Sequence, residues 1–171
     1  MTVPDPRTRP DAPRTRVLFV CLGNICRSPL AEGVFLHLVR EAGLTDRFEV
    51  ESAGTGDWHV GERPDPRSVA VARQHGVDLP SRARQVTPDD LEAFDHVLAM
   101  DRDNLSDLQR LARPGARAVV GLLRAHDPAR VTDGDDDVPD PYYGGPSGFD
   151  VVFEMVHRSC TVLLADLTRQ T

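Results

Sequence analysis

Lysine is absent from this chain of 171 residues, in which all 20 basic side chains are arginine. Chemistry that needs a lysine amine is therefore excluded, including Schiff bases and nucleotide-binding loops with a phosphate-binding lysine. The basic residues are outnumbered by 27 Asp and Glu, which gives a formal charge of −7. Because no segment carries a cluster of arginines, this charge pattern argues against nucleic acid or an anionic membrane surface as partner.

Cysteine and long apolar runs are also scarce. The cysteines are Cys21, Cys26 and Cys160, an odd and sparse set that is unlike the disulfide framework of a small secreted domain. The first 15 residues contain four prolines and lack the apolar stretch of a signal peptide. No later run approaches the roughly 20 apolar residues that span a bilayer. We therefore expect a cytoplasmic protein with no membrane attachment, in which residues 1–15 form a disordered N-terminal arm.

Short apolar runs alternate with helical repeats along residues 16–171, which we expect to form a single domain. Compact apolar or alternating segments predict strands at residues 16–21, 48–53, 96–100 and 117–123. Helical spacing predicts helices from 28 to 43, over 66–76, as a short turn from 87, over 105–111 and over 149–167. The alternation predicts an α/β fold, a doubly wound four-stranded parallel sheet with helices on both faces and binding loops at the carboxyl ends of the strands.

The loop after the first predicted strand has the features of an anion-binding site. Residues 21–28 (CLGNICRS) lie between a buried strand and a helix for which Ser28 and Pro29 are the predicted N-cap and first residue. Backbone N–H groups would converge there at the positive end of the helix dipole, where they bind phosphate oxygens and stabilise a thiolate. Cys21 is therefore the candidate nucleophile, and Arg27 is the candidate clamp for two phosphate oxygens.

The remaining residues of this loop support the same hypothesis. The Ser28 hydroxyl could donate a hydrogen bond to the Cys21 sulfur. Gly23 and Asn24 are residue types that accept left-handed backbone angles, which a loop with inward amides needs. An Arg six positions after a Cys is common by chance in so arginine-rich a chain, so the hypothesis depends on the flanking strand, Ser and helix as well. The other substrate-binding positions of the loop would be Leu22, Gly23, Asn24, Ile25 and Cys26.

Residues 20–29 (VCLGNICRSP) and 140–144 (DPYYG) together resemble the low-molecular-weight protein tyrosine phosphatases. Residues 52–61 (SAGTGDWHVG) also match that family's region beside the phosphate loop. The resemblance covers nearly the whole chain from Arg16 onward. It implies an enzyme with no cofactor and no metal that hydrolyses phosphotyrosine and aryl phosphate monoesters through a cysteinyl-phosphate intermediate. Phosphotyrosine proteins would be its partners, a bacterial tyrosine kinase would be a natural context, and a monomer is favoured.

The resemblance also implies roles for individual side chains outside the loop. Asp140 would be the general acid that protonates the phenolate leaving group, and it would then act as base on the attacking water. Asn24 and Ser52 would form a hydrogen-bonded pair that supports the loop. The aromatic residues that shape the substrate slot and its entrance would be Trp58, Tyr142 and Tyr143.

Several alternatives stay open at this point. Cys26 either forms a reversible disulfide with Cys21 that shields the nucleophile, as the resemblance implies, or is a small buried apolar side chain. Similar folds reduce arsenate with two further cysteines, although this chain has none between Cys26 and Cys160. A phosphate-binding module that has lost catalysis is the third alternative. Without the loop motif, Asp140 followed by Pro141 would be interpreted only as a turn.

Overall fold

Four parallel strands form the centre of the computed structural model, which describes residues 13–142, 144–145 and 147–169. The strands are β1 (Thr15–Cys21), β2 (Phe48–Gly54), β3 (His96–Ala99) and β4 (Val119–Leu122), in the order β2-β1-β3-β4. The predicted four-stranded parallel sheet is confirmed, although β4 is shorter than predicted. The chain leaves β1 towards β2 on one side and later pairs β3 on the other, so Cys21 ends the strand at which the order reverses, where α/β sheets bind ligands.

Helices cover both faces of this sheet, as predicted. They are α1 (Arg27–Glu41), α2 (Pro66–Gln74), α3 (Pro88–Ala93), α4 (Arg102–Leu111), α5 (Arg130–Asp133) and α6 (Ser147–Arg169). The short helix α5 and two turns of 3-10 helix, at Thr45–Arg47 and Leu123–His126, were not predicted. Within the described ranges, no helix combines the length and apolarity that crossing a bilayer requires.

The start of α1 differs from the prediction. The helix begins at Arg27 with Cys26 as its N-cap, so Ser28 and Pro29 lie inside the first turn. Ser28 does not cap the helix because its hydroxyl contacts the Cys21 sulfur and accepts a hydrogen bond from the Asn24 side chain. A residue type that is typical of a helix cap is therefore used for the loop instead.

Alternate residues of β1 enter two separate hydrophobic cores. Val17 and Phe19 pack with apolar side chains of α1, α2 and α6, whereas Leu18 and Val20 pack with those of α3 and α4. All four side chains have 0% exposure. Because a shift of one residue would exchange these sets between unlike cores, the two-sided packing fixes the register of β1 and hence the position of Cys21 at its end.

A buried ion cluster fixes the chain between β4 and α6. The fully buried Asp127 carboxylate accepts hydrogen bonds from Nε of Arg124 and Nε of Arg158, both at 3.0 Å. Arg124 Nη1 also donates to the carbonyl oxygens of Asp135 at 2.8 Å and Asp137 at 3.3 Å. The cluster therefore joins α6 to the acidic stretch that precedes the DPYYG motif.

Asp127→Asn is expected to lower the free energy of unfolding by about 3–5 kcal/mol at pH 7, because it removes a buried carboxylate that pairs with both Arg124 and Arg158. Burial raises the pKa of Asp127, but hydrogen bonds from Arg158, the Ala129 amide and Arg124 outweigh it, and the net pKa is lowered. The stabilisation is thus present above the usual Asp pKa of about 3.9 and is lost as the pH falls through the lowered value. Urea unfolding at a series of pH values should show the deficit of the variant shrinking in acid.

The matched control is Asp107→Asn, which removes the carboxylate of an exposed pair with Arg110. We expect it to change the free energy of unfolding by less than about 0.5 kcal/mol. Equal losses in the two variants at pH 7 would contradict the assignment of the Asp127 cluster as a buried ionic anchor.

Candidate active site

The loop at residues 21–28 turns its carbonyl groups outward. Each of four carbonyls accepts a hydrogen bond from a neighbouring segment: Cys21 from Thr55 N (2.9 Å), Leu22 from Gly56 N (2.9 Å), Ile25 from Asp65 N (2.8 Å) and Cys26 from Ser68 Oγ (3.3 Å). A trans peptide holds its N–H opposite its carbonyl, and none of the described peptide bonds is cis. The N–H groups therefore face the centre of the loop, at the N-terminus of α1, where they can bind an anion.

The Cys21 sulfur lies at the floor of this loop and is almost fully buried. Ser28 Oγ is 3.0 Å from Sγ, and the Asn24 N–H donates to Sγ at 3.3 Å. Because Ser28 Oγ accepts a hydrogen bond from Asn24 Nδ2 at 2.8 Å, its own proton can point towards the sulfur. Two donors are thus in place to stabilise negative charge on Cys21 during a reaction.

The Asn24 side chain supports the loop from below. Its Nδ2 donates to Ser52 Oγ at 3.0 Å, and its Oδ1 accepts from the Arg84 N–H at 3.0 Å. The expected Asn24–Ser52 hydrogen bond is therefore present. Asn24 has a φ of 57°, the left-handed angle that the sequence predicted. Gly23 is not in that region; a side chain there would instead meet the His59 ring at 3.1 Å, so the requirement for glycine is one of space.

Arg27 is buried between the loop and two carboxylates. Its Nη1 donates to Asp101 Oδ2 at 2.6 Å and to the Val138 carbonyl at 3.0 Å, and its Nη2 lies 3.8 Å from Asp140 Oδ2. Burial lowers the pKa of Arg27, but the negative charges of Cys21 and Asp101 outweigh it and raise the net pKa. The guanidinium is therefore a fixed positive charge at the wall of the loop.

Asp140 serves the turn and the site together. Its Oδ1 accepts a hydrogen bond from the Tyr142 N–H at 3.0 Å, as a turn-opening Asp does. Its Oδ2 faces Arg27, and 39% of the side chain is exposed. The turn interpretation and the general-acid interpretation are thus compatible, because the turn orients one carboxylate oxygen and leaves the other at the mouth of the loop.

A pocket of about 430 Å³ opens above the loop. Asn24 and Ser28, which we expected to bind substrate, do not line it and lie in the hydrogen-bond network beneath it. Tyr143 lies outside the described residues. The support residue Ser52 does not line the pocket either. The lining brings together the other predicted catalytic and substrate-binding residues and His59: Cys21, Leu22, Gly23, Ile25, Cys26, Arg27, Trp58, His59, Asp140 and Tyr142.

Two carboxylates that support the site were missed from the sequence. Asp101 holds Arg27 and also caps α4 by accepting from the Asn104 N–H at 2.8 Å. Its position two residues after the end of β3, at the same edge of the sheet as Cys21, was a signal that could have identified it. Glu32 accepts from Ser52 Oγ at 2.5 Å. Burial raises the pKa of Glu32, and hydrogen bonds from serine hydroxyls oppose that shift.

Comparison with known proteins identifies the family. A protein-family sequence model described as "Low molecular weight phosphotyrosine protein phosphatase" matches residues 16–171. A low molecular weight protein-tyrosine-phosphatase of Streptomyces coelicolor is 52% identical over 157 residues, which cover 91% of this chain and 94% of the relative. The chain belongs to this family.

Further comparisons agree with this membership in the low-molecular-weight phosphatase family. A relative from Sus scrofa with the family's name is 43% identical over 150 residues, covering 86% of this chain and 92% of its own. A crystal structure of a protein tyrosine phosphatase from Entamoeba histolytica superposes with a TM-score of 0.86 at 35% identity, covering 91% of this chain and 98% of that one. The chain is thus a phosphatase, and the arsenate reductase alternative is not favoured.

Trp58 forms an exposed wall of the phosphatase pocket that depends on Gly56. The indole is 69% exposed, and a Cβ at Gly56 would overlap the ring of Trp58. Gly56→Ala must therefore displace the indole. We expect kcat/KM for an aryl phosphate to fall about two- to tenfold, as loss of one aromatic contact predicts, and Trp58→Ala to give the same loss with no further loss in the double variant.

Gly121→Ala is the control for this prediction, because a Cβ at Gly121 has no atom within 4 Å. Steady-state kinetics of Gly56→Ala, Trp58→Ala, the double variant and Gly121→Ala test this prediction. Additive losses from Gly56→Ala and Trp58→Ala would show that the glycine acts through something other than the indole.

The three cysteines are free thiols with different surroundings. Burial raises the pKa of Cys26 to about 12, with further contributions from Asp65, Cys21 and Asp140, and burial also raises the pKa of Cys160. At pH 8 only about one Cys26 in ten thousand is a thiolate, since the acid form predominates below the raised pKa. We expect iodoacetamide at pH 8 to alkylate Cys21 alone, and inorganic phosphate to slow it.

Peptide mass mapping checks this order of reactivity. Alkylation of Cys26 as fast as Cys21 would contradict it. The same mapping after mild peroxide tests the hypothesis of a Cys21–Cys26 disulfide, against which sulfinic or sulfonic acid at Cys21 without a bridge would count.

Proposed function

We propose that this phosphatase hydrolyses phosphotyrosine in proteins, and aryl phosphates, with Cys21 as nucleophile, Arg27 as phosphate clamp and Asp140 as general acid and base. The observation that supports this most directly is the convergence of these three side chains on one pocket, above a loop whose N–H groups face inward. Phosphotyrosine is also the substrate named for the family whose model the chain matches.

Formation of the intermediate begins with the phosphate seated on the N–H groups of the loop. Arg27 binds two of its oxygens with guanidinium N–H groups other than those of Nη1, which Asp101 and Val138 engage. The Cys21 thiolate attacks phosphorus, so that an S–P bond forms as the bond from phosphorus to the phenolic oxygen breaks. The Asp140 carboxyl gives its proton to that oxygen, and the phenol leaves.

Hydrolysis of the cysteinyl phosphate reverses the role of Asp140. Its carboxylate accepts a proton from water while the water oxygen attacks phosphorus and the S–P bond breaks. Inorganic phosphate leaves, and Cys21 is again a thiolate, which accepts hydrogen bonds from Ser28 Oγ and the Asn24 amide. The two hydrogen bonds assist the sulfur first as attacking group and then as leaving group.

The aromatic walls favour a ring as the group that carries the phosphate. Trp58 and Tyr142 line the pocket on the solvent side of the loop, and aromatic pairs contribute beyond their buried area. Arg67 holds the Tyr142 segment, since its Nη1 donates to the Tyr142 carbonyl at 3.2 Å. We also propose that a bacterial tyrosine kinase supplies the substrate and that the protein is a cytoplasmic monomer. Light scattering checks the monomeric state.

The decisive experiment compares wild type, Cys21→Ser and Asp140→Ala on p-nitrophenyl phosphate and on a phosphotyrosine peptide in EDTA. We expect Cys21→Ser to lose turnover. Asp140→Ala should lose about 10²- to 10⁴-fold in kcat, the usual contribution of a general acid. Its loss should be larger on the peptide, because tyrosine is a poorer leaving group than p-nitrophenol.

Asp150→Ala is the matched control, because Asp150 is an exposed carboxylate in the first turn of α6. It should keep the wild-type rate on both substrates. Turnover by Cys21→Ser at the wild-type rate would refute the nucleophile, and binding of phosphate without any turnover by wild type would favour an inactive binding module.

A further inference from the structure

A second groove, of about 620 Å³, lies between α2 and the segment that follows it. Its lining combines an apolar floor with three arginines. The floor includes Pro64, Val69, Leu79 and Pro80, and the arginines are Arg63, Arg73 and Arg82.

Backbone hydrogen bonds join this arginine groove to the active-site pocket. The Asp65 N–H donates to the carbonyl of Ile25 in the phosphate loop at 2.8 Å, so the prolines on either side of Asp65 begin the groove where the loop ends. The Ala83 N–H donates to the backbone carbonyl of Glu62 at 2.9 Å, and the Gly61 N–H donates to the backbone carbonyl of Ala83 at 2.8 Å. These bonds place the groove immediately beyond the segment that forms the aromatic wall of the pocket.

The positive charge of the groove is not neutralised locally. Arg63 and Arg73 are exposed, and neither has a carboxylate partner in the part of the chain that the structure describes. Arg82 is also exposed and donates to the carbonyl of Gly61 at 3.1 Å. No acidic side chain lines the groove. The two acids that flank Arg63 in the sequence are engaged elsewhere, Glu62 with His59 at 2.6 Å and Asp65 with Arg67 at 2.9 Å, and the exposed Asp78 beside Leu79 does not line the groove.

We infer that the arginine groove binds an acidic, extended segment of the substrate protein next to the phosphotyrosine. This inference rests on the proposed function, because the segment must continue from a residue held in the pocket. From Pro66 to Arg73, α2 rises about 10 Å, which an extended peptide covers in about three residues at roughly 3.3 Å each. Once the peptide has reached the start of the groove at Pro66, Asp or Glu within about the next three residues would therefore meet the arginines.

The shape of the groove favours a peptide over other polyanions. Its floor is concave and made of proline and aliphatic side chains, which pack against a peptide backbone and the apolar side chains between the acids. A bilayer cannot enter a concave groove, and the lining contains no aromatic side chain on which the bases of a nucleic acid could stack.

The test measures kcat/KM for two phosphotyrosine peptides. The first contains Asp and Glu near the phosphotyrosine, and the second is identical except that each Asp is replaced by Asn and each Glu by Gln. We expect wild type to prefer the acidic peptide about five- to tenfold at low ionic strength, from two to three exposed charge contacts. The double variant R63Q/R73Q should reduce that preference to about one. High salt should reduce it in wild type, since the charges are exposed.

Arg40→Gln is the matched control, because Arg40 is an exposed arginine in the last turn of α1, at the end remote from the phosphate loop. It should keep the full preference. Equal kcat/KM for the two peptides with wild type, or an acidic preference that R63Q/R73Q retains, overturns the inference.

Binding separates this inference from the proposed function. Fluorescence anisotropy with the unphosphorylated acidic and amide peptides needs no turnover. If wild type hydrolyses neither peptide nor p-nitrophenyl phosphate, the proposed function fails, and acidic-selective binding that R63Q/R73Q abolishes still supports the groove. Absence of that binding difference overturns the groove whether or not the enzyme is active.

Discussion

Asn24 binds three parts of the chain to one another through a single amide. Its Nδ2 reaches Ser28 at the start of α1 and Ser52 in β2, and its Oδ1 accepts the Arg84 N–H. The left-handed backbone at Asn24 also turns its own N–H towards the Cys21 sulfur. The inward direction of the loop amides depends on these bonds, because a loop whose N–H groups face an empty centre is not stabilised by its own backbone.

Two buried guanidinium groups hold the segment that carries Asp140 against the loop. Arg27 donates to the Val138 carbonyl, and Arg124 donates to the carbonyls of the acidic stretch before it. A buried charge needs hydrogen-bonded partners, and the planar fork of arginine can satisfy a carboxylate and a carbonyl together. Arg27 and Arg124 therefore hold Asp140, the proposed general acid, at the pocket, and Asp101 is the carboxylate that pairs with Arg27.

Local patterns predicted the parts of the site that are contiguous in sequence. Cys21 and Arg27 were predicted because a buried strand, a loop and a helix follow one another within a few residues. The repeated alternation of strands and helices along the chain predicted the parallel sheet. Asp101 was not predicted, since it meets Arg27 only when β3 pairs with β1. Ser28 was wrongly predicted as a cap, because propensity describes what a hydroxyl does for its own helix and not what a nearby sulfur requires.

Predictions from net charge are limited in the same way, because they ignore where the fold places each charge. The net charge of −7 argued against anionic partners, and it does describe the field far from the protein. Within a Debye length of about 8–10 Å, however, the local arrangement decides. Arg63, Arg73 and Arg82 are nine or ten residues apart in the sequence, and α2 with the segments on either side of it brings them to one groove. An acidic protein can therefore present an arginine-lined surface next to a site that already binds an anion, and only the fold reveals it.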